Sequence, residues 1–375
     1  MLSKLPRIGI LIGCACAIMA MQMSRDSLHS EPGAPFDVGI DRSNMIWISK
    51  QQQAAVIAGI AKTGVRWFRD AFAYPVDRTA EFVDVVQQAK QAGLKMLVVV
   101  TQSPDDYDTP AIDNAGPAFE KLCGWSAGSP KFSQMNLNKF KDRLRGLLEA
   151  LRARGLSVDA FEIGNEVDWV CFNGDIPFGR DAGPDEILIA ARGYARFLQV
   201  AAEVIRDKRY PPAKLITFGM AHGDPAWDKP PHHLSNPAAF VASLRNLDGR
   251  NFLSNDRYRV DGIGSHIYPN PDDVPGSTAA LMAADTQVLG TQLPIWITEA
   301  GFRTNEFPNR AGQSRVDAIA EFFKALAGDK RASFGPVFYY SYDDGPYSLV
   351  DTHGKLLPEA AMLVRQCGAC RLSPR

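Results

Sequence analysis

Three times in the first half of the chain a helical stretch ends in glycine and runs at once into an apolar segment. The three junctions are Ala61-Lys62-Thr63-Gly64-Val65, Lys90-Gln91-Ala92-Gly93-Leu94 and Ala153-Arg154-Gly155-Leu156. Glycine at such a point supplies the left-handed conformation that stops a helix. Helix, glycine and buried strand in repetition is the rhythm of parallel βα units. Eight strand-like runs keep that rhythm, at 36–40, 65–68, 95–100, 160–164, 214–219, 262–265, 294–298 and 336–341. Between them apolar residues recur at helical spacing. Phe82, Val85, Val86 and Ala89 share one face; Phe140, Leu144, Leu147, Leu148 and Leu151 share a second. Tyr194, Phe197, Leu198, Ala201 and Ile205 share a third, in a helix that Pro184 opens at a favoured first-turn position.

Eight such units favour an α/β fold of the closed (β/α)8 TIM-barrel type over an open doubly wound sheet. A dinucleotide-binding sheet would want G-x-G-x-x-G after its first strand, and Gly39-Ile40-Asp41-Arg42-Ser43 does not supply it. Barrels of this kind routinely use a length such as 375 residues as one domain. No Pro/Gly/Ser linker divides the chain, and 101–135 and 222–235 read as long loops over the active face. The expected organisation is an export segment at 1–24 and a single barrel domain over 25–375.

Lys4 and Arg7 precede an uninterrupted apolar run at 8–21. A positive start and an apolar stretch of that length read as a secretory signal; a membrane span needs ~20 apolar residues. Leu11-Ile12-Gly13-Cys14 also resembles a lipobox, which would lipidate Cys14, and retention as an anchor is a third reading. An exported protein, periplasmic or secreted and with a possible membrane tether, is expected. Four cysteines then remain, Cys123, Cys171, Cys367 and Cys370, enough for two bridges in an oxidising compartment. Cys367-Gly-Ala-Cys370 reads as a local structural disulfide, or as no feature at all, in preference to a redox or zinc site, because it lies in the C-terminal tail and no second CxxC exists. Cys123 and Cys171 fall in loops after neighbouring strands, so a bridge bracing the cleft wall is expected. Lys plus Arg (41) balance Asp plus Glu (42), and nothing in that balance suggests a nucleic-acid partner.

In a barrel of this type the reacting groups sit where strands end, on the C-terminal rim. Strand two ends at Arg69-Asp70, strand three at Thr101-Gln102, strand four at Gly164-Asn165-Glu166, and strand five runs on to His222. Strand six ends at Ser265-His266-Ile267-Tyr268, strand seven at Thr298-Glu299-Ala300-Gly301 and strand eight at Tyr340-Ser341-Tyr342-Asp343. Glu166 and Glu299 therefore project into one mouth from sequence-distant strands. Two converging carboxylates, one protonated and one ionised, are what cleavage of a glycosidic bond requires.

Phe161-Glu162-Ile163-Gly164-Asn165-Glu166 and Trp296-Ile297-Thr298-Glu299-Ala300-Gly301 resemble the acid/base and nucleophile strands of clan A glycoside hydrolases, nearest to the cellulase-type family 5 and the xylosidase-type family 39. His266-Ile267-Tyr268 resembles the His-x-Tyr that ends strand six in family 5. Gly64-Val65-Arg66-Trp67-Phe68-Arg69 resembles the strand-two segment that brings an arginine near the nucleophile. The resemblance runs in order from about 36 to 345, and the co-occurrence of its motifs on the right strands is what carries it. It implies a retaining two-glutamate hydrolase of β-linked poly- or oligosaccharides, with Glu299 as nucleophile and Glu166 as acid/base. One departure stands out: clan members commonly carry a tryptophan at the end of strand eight, where this chain has Phe338-Tyr339-Tyr340-Ser341-Tyr342. Tyr340 or Tyr342 is expected to take that place.

Asn165 is expected to donate to the sugar 2-hydroxyl. Tyr268 and His266 are expected beside the carboxylates, and Arg69 to lower the pKa of Glu299 or else to pair with Asp70. Trp169, three residues past Glu166, leads the candidates for stacking on a sugar, ahead of Trp67, Trp125, Trp227 and Tyr347. No metal and no cofactor are expected. The first strand lacks His-x-His, His222 and His266 have no clear third ligand, and no strand end carries a Schiff-base lysine. A monomer acting on a glycan is the expected form. A transglycosylase on the same site and a non-catalytic sugar-binding barrel are the alternatives; the second would be expected to have lost one glutamate.

Overall fold

The computed structural model describes residues 37–73, 75–109, 112–221, 237–253, 260–290, 292–307 and 314–367. Its strands are Val38–Asp41 (β1), Trp67–Phe72 (β2), Lys95–Val100 (β3), Ala160–Ile163 (β4), Lys214–Met220 (β5), Gly262–Ile267 (β6), Ile295–Ala300 (β7) and Phe334–Tyr340 (β8). All pair in parallel in sequence order, and β8 closes onto β1 through Val38–Val337 and Asp41–Tyr340. Helices such as Lys50–Thr63, Thr79–Gln91, Leu137–Ala153, Pro184–Ile205, Val274–Leu289 and Arg315–Gly328 alternate with them. The expected (β/α)8 barrel is what forms. Gly64, Gly93 and Gly155 sit at φ 92°, 79° and 64°, the left-handed stops that the three junctions required. Among the described residues no helix is long and apolar enough to cross a membrane. The expected export segment, Cys14, His222, Trp227 and Cys370 lie outside the described residues.

Several strands run further than their apolar letters. β2 continues through Arg69 and Asp70 to Phe72, β6 through Ser265 and His266 to Ile267, and β7 through Glu299 to Ala300. Charged residues end an apolar run but not these strands, because Arg69, His266 and Glu299 are paired inside the barrel and Asp70 is met by backbone N–H groups.

The interior is built in layers by the two-residue period of a strand. At the floor Trp67, Leu97, Ala160, Ile216, Trp296 and Phe338 form an apolar cluster of their own, with the Trp67 and Trp296 rings edge to face at 5.5 Å. Trp67 is thus floor packing and takes no part in sugar stacking. Strand neighbours make room for these rings: a Cβ on Gly335 would lie 2.4 Å from the Trp296 ring. Two residues further along β2, β4 and β7 the layer turns polar, with Arg69 above Trp67, Glu162 above Ala160 and Thr298 above Trp296.

The loops after β3 and β4 are tied together. Cys123 and Cys171 form the expected disulfide, with Cα atoms 5.4 Å apart. Cys367 is disulfide-bonded as well. The β3 loop is also anchored to the barrel wall. The Arg143 guanidinium, on helix Leu137–Ala153, grips both Asp106 oxygens at 2.8 Å and the Thr101 carbonyl at 2.6 Å, all out of solvent. Replacing one member of a buried pair leaves an uncompensated charge worth ~3–5 kcal/mol. Arg143→Met is therefore expected to lower the urea unfolding free energy by about that amount; a change below about 1 kcal/mol would mean Asp106 finds another partner.

Candidate active site

A cleft of about 880 Å³ opens over the C-terminal ends of the strands. Its centre is organised by one buried cation. Arg69, 1% exposed, points up the barrel from β2 and donates in every direction. Its Nε donates to Glu162 of β4 at 2.8 Å and its Nη2 to Asn165 at 2.8 Å. Its Nη1 is shared between Asp41 of β1 and Glu299 of β7, the latter at 2.6 Å. Burial opposes the charge, but Glu162, Asp41 and Glu299 outweigh it and hold the guanidinium protonated well above its ordinary range. The alternative pair with Asp70 does not form: Asp70 accepts backbone N–H groups from Ala71 and Met45 instead.

Glu299 reaches this centre through a register shift. β6 and β7 pair Ser265 with Ile297 and then His266 with Glu299, so Thr298 is skipped and Glu299 turns inward beside Arg69. Such irregularities re-aim side chains. The second Glu299 oxygen accepts the Tyr268 hydroxyl at 2.7 Å. Burial pushes the Glu299 pKa up, yet His266, Arg69 and the Tyr268 hydrogen bond together bring it below the usual carboxylate range.

Glu166 arrives differently. Gly164 (φ 91°) turns the chain out of β4, Glu166 itself is held at φ 42°, and its N–H bonds to the Gly219 carbonyl at 3.0 Å. A non-glycine residue in that region is strained, which marks a position fixed by its surroundings. The Glu166 carboxyl lies 2.8 Å from His266 Nδ1 and is raised in pKa, by burial first, with His266 opposing and Glu299 adding to the rise. His266 packs against Gly219, where a Cβ would lie 2.0 Å from its Nε2. Burial disfavours the imidazolium, but Glu299 and Glu166 lift the His266 pKa to about 9. One oxygen of Glu166, one of Glu299 and a His266 nitrogen all lie within 4.8 Å of one another. Donors of these types can hold a metal ion, whose binding would displace the imidazole proton.

The structure thus brings Glu166, Glu299, Asn165, Arg69, His266 and Tyr268 into one constellation. Trp169, Tyr340 and Tyr347 line the same cleft. Tyr342 does not: after β8 the chain turns, its N–H bonds to the Asp41 carbonyl, and its ring is buried against the helix Lys50–Thr63. A Cβ on Gly59 would meet its hydroxyl at 1.8 Å. Of the two strand-eight tyrosines, Tyr340 is the one in the cleft. Two members were missed in the sequence. Asp41 is fully buried between Arg69 and Ser43, and Glu162 bridges Arg69 and, at 2.7 Å, Thr298. Parity was the available signal: Asp41 lies two residues past Gly39 and Glu162 two past Ala160, both on the inward set.

No family model and no curated protein sequence matches the chain. Solved structures do, at the level of the fold. A fungal beta-1,4-galactanase superposes with a TM-score of 0.54 at 16% identity, covering 88% of this chain and 99% of that one. The endo-beta-1,4-mannanase of Thermotoga petrophila gives 0.53 at 12%, covering 88% and 76%. The beta-glucosidase of Thermotoga maritima gives 0.55 at 15%, covering 88% and 97%. The likeness to glycoside hydrolase barrels drawn from the strand ends therefore holds for the architecture.

The buried acids make stability depend on pH. Burial lifts Asp41 to about 7 and Asp70 to about 8, with Arg69 the main opposing influence on the first and the Ala71 N–H on the second. Groups whose pKa is raised on folding stabilise the protein fully below their unfolded value and lose that contribution as pH passes the folded one. Asp70 loses it between about 4 and 8, and His266 between about 6.5 and 9. The lowered Glu299 acts in the opposite sense only at acid pH. The urea midpoint is expected to fall from pH 6 to pH 9, and Asp70→Asn to flatten that fall. An unchanged slope in the variant would mean that Asp70 does not cause it.

Proposed function

We propose that the chain is a retaining glycoside hydrolase that cuts a β-linked poly- or oligosaccharide, with Glu299 as nucleophile and Glu166 as acid/base. The observation that carries the reading is the opposite perturbation of two carboxyls in one cleft. His266, Arg69 and Tyr268 bring Glu299 below the usual carboxylate range against its burial, while burial and Glu299 raise Glu166 above it. A pair with separated acidities is how acid and nucleophile are assigned at one pH. Their approach to within 4.8 Å supports retention, for which ~5–5.5 Å is usual, against ~6.5–9.5 Å for inversion.

In the first step a Glu299 oxygen bonds to the anomeric carbon as the glycosidic C–O bond breaks, and Glu166 gives its proton to the departing oxygen. The resulting ester removes the Glu299 charge, which is one of the two influences that raise the Glu166 pKa. Glu166 thereby becomes the stronger base that the second step needs. It takes a proton from water as the water oxygen displaces Glu299 from the anomeric carbon, and both carboxyls return to their starting states. Arg69 fixes Asn165 by its Oδ1, which leaves the Nδ2 donors for the sugar 2-hydroxyl. Tyr268, whose own pKa is driven well up by burial and by Glu299, stays a donor throughout. Tyr340 and Trp169 line the same cleft. The names of the galactanase, the mannanase and the glucosidase above support a β-linked glycan. The apolar N-terminal run and the Cys123–Cys171 bridge support an exported enzyme.

The test is reducing-end release from a panel of β-glucans, xylans, mannans, galactans and bacterial exopolysaccharides. Glu299→Gln is expected to lose activity by several orders of magnitude and Glu166→Gln by ~10²–10⁴. Proton NMR of the first product should show a retained anomeric configuration. Full activity in Glu299→Gln, or an inverted first product, would sink the mechanism.

A further inference from the structure

The flank of the cleft beyond Glu166 is built unlike the rest of the rim. The segment after β3 carries little regular structure beyond the short helix Pro117–Cys123, yet it is stitched to the β4 loop along its length. Besides the Cys123–Cys171 bridge, the Gly174 N–H donates to the Pro130 carbonyl at 3.0 Å. Gln102 Nε2 donates to the Phe172 carbonyl at 2.9 Å, and the Ser133 N–H to Asp175 at 2.9 Å. What this frame presents to the cleft is aromatic. The Trp169 N–H bonds to the Glu166 carbonyl at 2.8 Å, so its indole stands one turn from the acid. Phe172 follows at 6.0 Å between ring centroids and Trp125 at a further 5.4 Å. Trp125 is backed by Phe119, which is 1% exposed, while Trp125 itself keeps 36% of its surface in solvent.

We propose that Trp169, Phe172 and Trp125, held in place by the Cys123–Cys171 bridge, form a subsite for an uncharged sugar ring adjoining the one that reacts. This rests on the reading of Glu166 and Glu299 as the reacting pair. Three observations carry it. The wall is continuous with the catalytic cleft, whose 880 Å³ lies near the top of the ~300–1,000 Å³ that houses a drug-sized ligand, so more than one ring fits. Its remaining lining, Leu122, Gly128, Ser129 and Pro130 with Thr101 and Gln102, brings hydroxyl, amide and apolar groups and no charge. Pyranose rings show C–H-rich faces and hydroxyl edges, which match aromatic planes beside neutral polar groups; among the residues that line the cleft, none on this flank is a cation for an anionic sugar. Finally, the covalent and hydrogen-bonded frame removes the cost of ordering the loops on binding. A wall that served only to pack the loops would bury Trp125 as it buries Phe119.

The test uses the full chain with Glu299→Gln to stop turnover, titrated calorimetrically with β-1,4-linked gluco-, manno-, xylo- and galacto-saccharides from one to four units. One series is expected to bind more tightly as it lengthens, by about five- to ten-fold between one unit and three. Trp125→Ala is expected to abolish that gain and leave monosaccharide binding unchanged. Cys123→Ser with Cys171→Ser should do the same, and Trp125→Ala, at an exposed position, keeps the test open if the cysteine variant fails to fold. A gain that survives Trp125→Ala, or affinity independent of length in every series, overturns the proposal. Trp125-dependent binding by a chain whose wild-type form cleaves nothing would overturn the hydrolase reading and leave the subsite standing.

Discussion

A guanidinium with 1% of its surface in water costs several kcal/mol to bury, and Arg69 is tolerated because each edge of its plane meets an acceptor. Four side chains from three other strands, Asp41, Glu162, Asn165 and Glu299, are set by that one plane. A lysine at 69 would bring a point charge with no fixed directions, and the four acceptors would lose their common frame. The hydrogen bonds also decide orientation. Glu299 has one oxygen on Arg69 and the other on Tyr268, so its carboxylate plane is fixed before any substrate arrives.

Glu166 and Glu299 have the same side chain and comparable burial, 13% and 12% exposed, so their opposite acidities come from their neighbours alone. Glu299 touches a permanent cation and a phenol and sits near an imidazolium. Glu166 has His266 as its hydrogen-bonded partner and feels the charge of Glu299. Because each carboxyl is part of the other's environment, neutralising one must move the other. The alternation of roles in the proposed double displacement would thus be a property of the pair.

The barrel was legible because its signals are local and repeated: left-handed glycine stops, helical apolar stripes and short buried runs. Glu166, Glu299, Asn165, Arg69, His266 and Tyr268 were legible because polar residues at the strand ends of a barrel face its open mouth, where packing alone does not call for them. What escaped depends on register and side-chain direction. Asp41 and Glu162 lie inside strands, where the apolar run hides the inward parity that places them under Arg69. Tyr342 was misplaced for the same reason. Tyr340 and Tyr342 look equivalent by period, but β8 ends at Tyr340, and the turn after it sends Tyr342 outward against Gly59. The skipped residue between β6 and β7 leaves no mark in the sequence, although without it Ala300 and not Glu299 would follow Thr298 on the inward set.

The aromatic floor has a role in this electrostatics. Trp67, Trp296 and Phe338 close the barrel from below, with Leu97, Ala160 and Ile216 filling between them, so the polar layer above is solvated only from the cleft. Attraction between charges falls with the effective dielectric, from ~4 kcal/mol at 4 Å near a surface to ~1 kcal/mol in water. The same Arg69–Glu299 contact in a wet, open barrel would hold the carboxylate far less firmly below its ordinary acidity. The bulky floor residues and the charged layer two positions above them are therefore one device: the first keeps water out so that the second can separate the acidities of two glutamates.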